Sequence, residues 1–323
     1  MIIRTIIVLT LLGVISALFL IRYRVYPKNT RATREITMAS FGTTPGLVGT
    51  AGRTFGPIIS YPALSKHTAT VIMLHGLGDT GNGWAPVAPE LNLTHVRWVF
   101  PTAPTRSITV NMGMSMPGWF DIDHLDEASF LKMMKGHHGF DPEGTIESVE
   151  YVGSLIEKEI QAGIPPERIV VGGFSQGGHV ALKSLVHKKL NVAGLMALST
   201  WLEPQHVELG QDIKSTPIFY GHGASDPLIP PMVAQISVDT MEKQGFADLQ
   251  FKLYPGMQHS TCYEEMRDMK AFLERVIPDK KVTAEDIDSM SVRELKDFIA
   301  SRGGDPSRSL EKGELRQQAK SHL

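Results

Sequence analysis

The chain has 323 residues, of which 42% are hydrophobic, and a formal net charge of −2. That length and apolar content suffice for one large domain with a substantial core and for small additional segments. The near-neutral charge gives no electrostatic reason for the chain to bind nucleic acid, and a single cysteine excludes an intramolecular disulfide framework.

An uncharged apolar run, TIIVLTLLGVISALFLI, occupies residues 5–21. As a helix it would rise about 25 Å, close to the roughly 30 Å hydrocarbon core of a bilayer. The small residues of a signal-peptide cleavage site do not follow it, so we expect residues 1–34 to form a membrane anchor. Basic side chains between Arg22 and Arg34 predict that the rest of the chain faces the cytosol. Because no acidic residue precedes Glu35, an Arg-rich mitochondrial presequence is the alternative.

Residues 35–57 are rich in Gly, Thr and Pro and lack periodicity, which predicts a linker. Between residues 58 and 279, strand-like and helix-like segments alternate. This alternation predicts an α/β fold, with a mostly parallel sheet that helices cover on both faces. The predicted strands are 68–75, 95–100, 168–172, 192–198, 216–220 and 249–254, and the predicted helices are 144–160, 177–187, 232–244 and 261–276.

The C-terminal residues, 280–323, contain nine Lys or Arg and eight Asp or Glu residues. A capping-box pattern from Ser291 to Glu294 predicts a helix that ends at Gly303, and Ser309 is a candidate cap for a second helix. We therefore expect a small helical module that is separate from the sheet.

One G-x-S-x-G sequence, Gly173 to Gly177, lies between a predicted strand and a predicted helix. At such a sharp turn the glycines avoid clashes and the central residue, Ser175, is presented as a nucleophile. The backbone N–H of the next residue, Gln176, is a candidate donor to a developing oxyanion. The alternative, a glycine-rich connection with a capping serine, is disfavoured by this placement.

A serine hydroxyl needs an adjacent base, and two downstream residues supply candidates. Asp226 follows the predicted strand TPIFY, and His259 follows LQFKLY. Since α/β sheets build their sites at the carboxyl ends of strands, we expect both side chains to lie near Ser175. The order Ser, Asp, His is the order of α/β-hydrolases. His222 competes for the role of base, but it precedes Asp226 and breaks this order.

Two further loops complete the candidate site, one rich in glycine and the other apolar. The loop from His75 to Gly81 follows a predicted strand and can direct an N–H towards an oxyanion. If this motif stood alone, a tight βα turn would be a plausible alternative. Met116 belongs to a methionine-rich loop that suits a flexible alkyl chain, with packing in the core as an equal alternative. The pair His137-His138 has no carboxylate partner, so we predict no metal site.

With these motifs, the sequence resembles the acyl-protein thioesterases and lysophospholipases, which are carboxylesterases of the α/β-hydrolase fold. The resemblance implies Ser175, Asp226 and His259 as a catalytic triad and the amides of Leu77 and Gln176 as an oxyanion hole. It also implies Trp119 and Leu228 as lining of an acyl-binding groove. The segments that carry it are HGLGDTGNGW at 75–84, FPTAPTRSITVNMGMSMPGWFDI at 100–122, IPPERIVVGGFSQGGHVAL at 164–182, LSTWL at 198–202, GASDPLIP at 223–230 and GMQHSTCYEEMRDMKAFL at 256–273.

The resemblance implies hydrolysis of acyl thioesters on S-acylated proteins through an acyl-enzyme, with no cofactor. Lysophospholipid or small-ester hydrolysis is the alternative within enzymes, and an inactive ligand-binding scaffold is the alternative of another class. Residues 289–319 resemble a SAP-type helix-extended-helix motif. Such motifs often bind DNA, but the formal charge of +1 over residues 280–323 favours a protein contact.

Overall fold

A computed structural model describes residues 41–49, 52–135, 140–189, 191–204, 209–279, 282–308 and 311–323. These residues contain ten strands and eleven helices. The strands are β1 Gly42–Thr44, β2 Gly56–Tyr61, β3 Ala69–Leu74, β4 Val96–Thr102, β5 Thr105–Ile108, β6 Met114–Pro117, β7 Ile169–Phe174, β8 Gly194–Leu198, β9 Ile218–Gly223 and β10 Leu249–Tyr254. The helices are α1 Gly81–Trp84, α2 Val87–Leu91, α3 Glu127–Met133, α4 Pro142–Gln161, α5 Gln176–Lys188, α6 Gln211–Lys214, α7 Pro231–Lys243, α8 Tyr263–Val276, α9 Ala284–Ser289, α10 Val292–Ser301 and α11 Lys312–Lys320.

Eight of these strands form one sheet in the order β1-β2-β4-β3-β7-β8-β9-β10. The five pairings from β4 to β10 are parallel, whereas β2 pairs antiparallel with both β1 and β4. β5 and β6 form a separate antiparallel hairpin. The predicted α/β fold with a mostly parallel sheet is therefore confirmed.

The central strands are apolar on both faces because helices cover both. All six residues of β3 are buried, which is typical of a strand in the middle of a parallel sheet. Two large apolar clusters lie against the sheet: one includes the buried residues of α4, α5 and α7, and the other includes those of α2 and α8. Burial of these clusters is the main stabilising contribution to the fold.

The order of the strands also locates the site. From β3 the chain continues to β4 on one side and then crosses to β7 on the other side of β3. At such a reversal the two loops at the carboxyl ends of the strands diverge and leave a crevice. Leu74 at the end of β3 pairs with Gly173, so the loop after β3 and the turn after β7 start at the same level.

The predicted linker, residues 35–57, requires a correction in its described part. β1 adds an antiparallel strand to the sheet, and Val48 forms a β-bridge with Thr54. Phe55 is buried and stacks on Tyr151 of α4, with ring centroids 3.6 Å apart. This part of the segment is folded because its aromatic side chain and its backbone find partners that the local sequence does not reveal.

The predicted membrane anchor is also corrected. The apolar run at residues 5–21 and the whole of residues 1–34 lie outside the described residues. Within the described ranges, no helix combines the length and the apolar character needed to cross a bilayer. The predicted membrane-anchored localisation, with a cytosolic orientation or a mitochondrial alternative, is therefore corrected, because the described residues provide no membrane-spanning helix that supports it.

The C-terminal module has its own small core. Its three helices, α9 to α11, bury an apolar cluster with no member from the sheet, and Lys320 pairs with Asp288 at 2.8 Å. Capping boxes at Thr283 and Ser291 begin α9 and α10. The predicted helix opened by Ser291 is therefore present. No finding supports a partner for this module.

Candidate active site

Ser175 lies at the sharp turn between β7 and α5 and is partly exposed. Its φ of 54° and ψ of −120° are uncommon for a residue other than glycine. The Ser175 N–H donates to the Leu198 carbonyl at 2.9 Å, and the Thr200 hydroxyl donates to the Ser175 carbonyl at 2.7 Å. The surrounding structure therefore holds this serine in a strained conformation, as at a nucleophile elbow.

The two outer glycines of the G-x-S-x-G sequence are needed because backbones approach closely there. A Cβ on Gly173 would lie 2.3 Å from the backbone of Gly177. A Cβ on Gly177 would lie 2.5 Å from the His75 carbonyl oxygen. Both close contacts are with backbone atoms, which cannot move aside as the end of a flexible side chain can, so any larger residue at these two positions would displace the turn.

Asp226 and His259 come together at the carboxyl ends of β9 and β10, which pair in parallel. Nδ1 of His259 lies 2.7 Å from Oδ2 of Asp226. The imidazole also packs against Phe174, the residue before Ser175, with ring centroids 4.7 Å apart. When Nδ1 donates to the carboxylate, Nε2 is left as the basic nitrogen. The fold thus brings an oriented imidazole to the side of the serine turn.

The carboxylate of Asp226 is fully buried and has several donors. Its Oδ1 accepts hydrogen bonds from the backbone N–H groups of Leu228 and Ile229, both at 2.9 Å. Burial acts to raise the pKa of Asp226, but the hydrogen bond and charge of His259 and the backbone donor outweigh it and hold the pKa below its ordinary value. Asp226 is therefore ionised at neutral pH.

His222, the competing histidine, lies on the other side of the same carboxylate. Its Nε2 is 2.9 Å from the Ile229 carbonyl oxygen and 3.6 Å from Oδ2 of Asp226. Burial lowers the pKa of His222, so the ring is neutral at physiological pH. Since the side chain is fully enclosed and Nε2 serves a backbone carbonyl, the geometry favours His259 over His222 as the base.

The two candidate oxyanion donors flank Ser175. Leu77 lies in the loop after β3, where a Cβ on Gly76 would be 3.4 Å from Cβ of Ser175. Gln176 is the first residue of α5, where a backbone N–H has no acceptor within the helix. Both segments therefore lie beside the serine turn, and the roles of their two amides stay predictions.

Trp119, predicted to line an acyl groove, is fully enclosed by protein. Its indole Nε1 donates to the His75 carbonyl at 2.8 Å, and its backbone N–H donates to the side chain of Gln176 at 2.8 Å. The ring contacts Phe55 and Tyr151 in the core. Trp119 thus bonds both to the loop after β3 and to the start of α5. Because it is enclosed, contact with a substrate would require that other groups move.

Met116 and Leu228 are partly buried near the same edge of the sheet. The Met116 sulfur lies 3.6 Å from the position that a Cβ on Gly78 would occupy. Gly78 directly follows Leu77 in the chain. Leu228 adjoins the triad through its N–H bond to Asp226. Both side chains are therefore placed where a substrate near Ser175 could meet them, and their role as substrate contacts stays a prediction.

Two polar groups in this region carried no recognisable sequence signal. The Ser148 hydroxyl, on α4, donates to the Trp119 carbonyl at 2.5 Å. The side-chain amide of Gln176 is fully buried and bonds to Trp119 and Phe120. A serine within a helix and a glutamine after the nucleophile have no distinctive spacing, so only the tertiary structure reveals these contacts.

No metal site emerges from the described part of the chain. No group of three or more His, Cys, Asp or Glu side chains is arranged there to hold an ion. His137 and His138 lie outside the described residues.

Comparisons with known proteins give the family of this chain. The family model described as Phospholipase/Carboxylesterase matches residues 58–277. An acyl-protein thioesterase 1 of Cryptococcus neoformans is 41% identical over 224 residues, 64% of this chain and 92% of that protein. One of Neurospora crassa is 40% identical over 232 residues, 69% of this chain and 92% of that protein.

A solved structure gives the same result at the level of the fold. The crystal structure of Zea mays acyl-protein thioesterase 2 superposes with a TM-score of 0.59 at 28% identity. The match covers 68% of this chain and 98% of that one. Because the family model spans most of the chain and the relatives are matched over nearly their full length, the chain belongs to the phospholipase/carboxylesterase family of α/β-hydrolases, among the acyl-protein thioesterases.

Proposed function

We propose that this protein hydrolyses acyl thioesters on S-acylated proteins, with Ser175 as nucleophile, His259 as base and Asp226 as the group that orients His259. The observation that carries the proposal is the 2.7 Å bond between His259 and Asp226, next to a serine in a strained turn. The relatives named acyl-protein thioesterase support the choice of substrate class.

In the acylation step, Nε2 of His259 takes the proton of the Ser175 hydroxyl as Oγ attacks the thioester carbonyl. The negative charge that develops on the carbonyl oxygen is stabilised by the backbone N–H groups of Leu77 and Gln176. The C–S bond then breaks, and His259 gives the proton to the leaving thiolate. The products are a free cysteine thiol and an acyl ester on Ser175.

Deacylation repeats the sequence with water as the nucleophile. His259 removes a proton from water, the resulting hydroxide attacks the acyl ester, and the fatty acid leaves as Ser175 recovers its proton. The buried, ionised Asp226 stabilises the imidazolium in both steps. Every proton transfer is carried by this chain's own side chains.

The second candidate is hydrolysis of oxygen esters such as lysophospholipids. The description of the matching family, Phospholipase/Carboxylesterase, favours it, and the same triad would perform it. Esters and thioesters differ in the leaving group, so relative kcat/KM values on an acyl-cysteine peptide and on a lysophospholipid of equal chain length would rank the two candidates.

A fluorophosphonate probe and the Ser175→Ala variant test the proposal. The wild-type protein should react with the probe and release thiol from an S-palmitoylated peptide, and Ser175→Ala should do neither, with a rate loss of at least about a thousandfold. Near-native circular dichroism of the variant would exclude misfolding as the cause. A wild-type protein that folds but neither reacts nor hydrolyses would instead favour a ligand-binding scaffold.

A further inference from the structure

The two candidate oxyanion donors lie in different parts of the chain, and a third segment connects them. We call residues 117–120, which follow β6, the connecting segment. On one side it contacts the loop after β3: the Gly78 N–H donates to the Pro117 carbonyl at 2.8 Å, and the Trp119 indole donates to the His75 carbonyl at 2.8 Å. These two bonds bracket Leu77 along the chain.

On its other side the connecting segment contacts the start of α5 through a single side chain. The Oε1 atom of Gln176 accepts from the Trp119 N–H at 2.8 Å, and Nε2 donates to the Phe120 carbonyl at 2.7 Å. The glutamine amide therefore makes two hydrogen bonds to the backbone of consecutive residues. Only one orientation of the amide satisfies both partners, which fixes the assignment of its oxygen and nitrogen.

The contacts lie in a dry part of the molecule. Gln176, Trp119, Phe120 and His75 are all fully buried, and the Ser148 hydroxyl holds the Trp119 carbonyl from the side of α4 at 2.5 Å. Since water cannot replace a lost partner there, each hydrogen bond constrains the geometry more strongly than an exposed bond would.

We propose that the side chain of Gln176 is a positioning residue for the oxyanion hole, because it joins the start of α5 to the connecting segment and thereby sets the distance between the Leu77 and Gln176 amides. This inference rests on the proposed function. An oxyanion hole acts through donors held ready before charge develops, so a small displacement of one donor lowers kcat and leaves ground-state binding nearly unchanged.

The Gln176→Glu variant tests this role because it keeps the shape of the side chain and changes one partner. An ionised carboxylate still accepts from Trp119 but offers no donor to the Phe120 carbonyl and is repelled by it. A protonated carboxyl restores the donor, with its O–H directed to Phe120. The defect of this variant should therefore diminish as the pH falls and the carboxyl takes up a proton.

We expect Gln176→Glu to lower kcat about tenfold or more at a pH high enough to ionise its buried carboxyl, while KM stays within about twofold of wild type. The ratio of variant to wild-type kcat should rise as the pH is lowered. Taking this ratio cancels the titration of groups that both proteins share. Thr70→Val is the matched control. It removes two hydrogen bonds of the buried Thr70 hydroxyl, to Glu159 at 2.8 Å and to His67 at 2.9 Å, near the start of β3 and away from the site, so its kcat should be unchanged.

Trp119→Phe provides a second route if Gln176→Glu does not fold. It keeps an aromatic ring but removes the bond from the indole to the His75 carbonyl, and it should lower kcat with little change in KM. A kcat within twofold of wild type for both Gln176→Glu at every pH and Trp119→Phe, or an equal loss in Thr70→Val, would overturn the positioning role. A wild-type protein that fails to react with a fluorophosphonate at Ser175 would instead refute the proposed function itself.

Discussion

At the scale of single residues, Asp226 determines which histidine is oriented. Its Oδ1 is occupied by two backbone N–H groups, so Oδ2 is the atom that remains for an imidazole. His259 reaches Oδ2 at 2.7 Å and His222 lies at 3.6 Å. Because His222 uses Nε2 for the Ile229 carbonyl, we regard it as a structural support of the loop that carries Asp226.

This assignment predicts different outcomes for two matched variants. His259→Gln should lower kcat by at least about a thousandfold, because it removes the base. His222→Gln should retain most of kcat and lose stability, because glutamine retains a donor but not the shape of the ring. Ester turnover and urea unfolding are measured for both variants. Equal losses of kcat in the two variants would contradict the assignment of His259 as the base.

Glu265 is a buried carboxyl outside the candidate site. Its side chain, on α8, is fully enclosed, and a Cβ on Gly221 of β9 would lie 2.3 Å from Oε1. Burial, with a contribution from the negative charge of Asp268, raises the pKa of Glu265 from 4.5 to about 8. The folded protein therefore retains a proton here over a pH range in which the unfolded chain has lost it.

The sign of the resulting pH dependence follows from linkage. The stabilisation that protonated Glu265 contributes is fully present below pH 4.5, its pKa in the unfolded chain. It is lost as the pH rises towards about 8, its pKa in the folded protein. In Glu265→Gln, the decrease in unfolding free energy between about pH 5 and about pH 9 should shrink by an amount on the order of a few kcal/mol. Urea denaturation at both pH values measures it. Glu264→Gln, at the exposed neighbouring position, should keep the wild-type decrease.

At the scale of elements, the segment before β2 is attached to α4 through a partly buried charge network. Arg53 donates to the buried Glu147 at 2.8 Å, and Arg106 of β5 approaches the same carboxylate at 3.7 Å. Arg106 also pairs with Asp141, the N-cap of α4, at 3.2 Å. The network joins the N-terminal segment, the β5–β6 hairpin and α4, which are distant in sequence.

The Arg53 side chain is 47% exposed. Its removal should nevertheless lower the free energy of unfolding appreciably, because its partner carboxylate is buried. Arg53→Ala leaves the Glu147 carboxylate buried with only the longer contact to Arg106, and we expect a loss of about 1–3 kcal/mol in unfolding free energy. Lys188→Ala, which removes a more exposed pair with Glu150, should cost less than about 1 kcal/mol. Urea denaturation compares the two, and the double variant Arg53→Ala/Glu147→Gln should recover part of the first loss.

At the scale of the whole molecule, the C-terminal module is distinguished by its own core. Its apolar cluster contains only residues from Ile287 to Ala319, with Val282 and Phe298 packed at the edge. The ion pair of Lys320 and the hydrogen bond of Arg316 both go to Asp288 within the module. These contacts stabilise α9 to α11 from within the module.

A chain that ends at residue 279 should therefore keep the hydrolase activity. We expect its kcat/KM on a soluble ester to lie within about twofold of the full chain, because the triad and both oxyanion segments precede the module. The measurement is ester turnover by the two proteins at equal concentration. A tenfold loss, with folding intact by circular dichroism, would show that the module contributes to the site.

Much of the fold and of the candidate site followed from local patterns. Apolar runs such as residues 68–75 predicted strands of a parallel sheet, and Ser175, Asp226 and His259 were selected because each follows a strand. Periodicity and turn composition are local properties, so they survive in the sequence. The short strand β1, the β5–β6 hairpin and α3 were not predicted, since brief elements with irregular burial carry little periodic signal.

The sequence was sufficient for the order of the main elements, for the sharp turn at Ser175 and for the proposal of three catalytic side chains, because each depends on neighbouring residues. The tertiary structure was needed to show how His222 and His259 contact Asp226, to enclose Trp119 in the core, and to pair the Gln176 amide with Trp119 and Phe120. These outcomes depend on distances between segments far apart along the chain. Such distances arise only when the packed core and its buried hydrogen bonds are formed together.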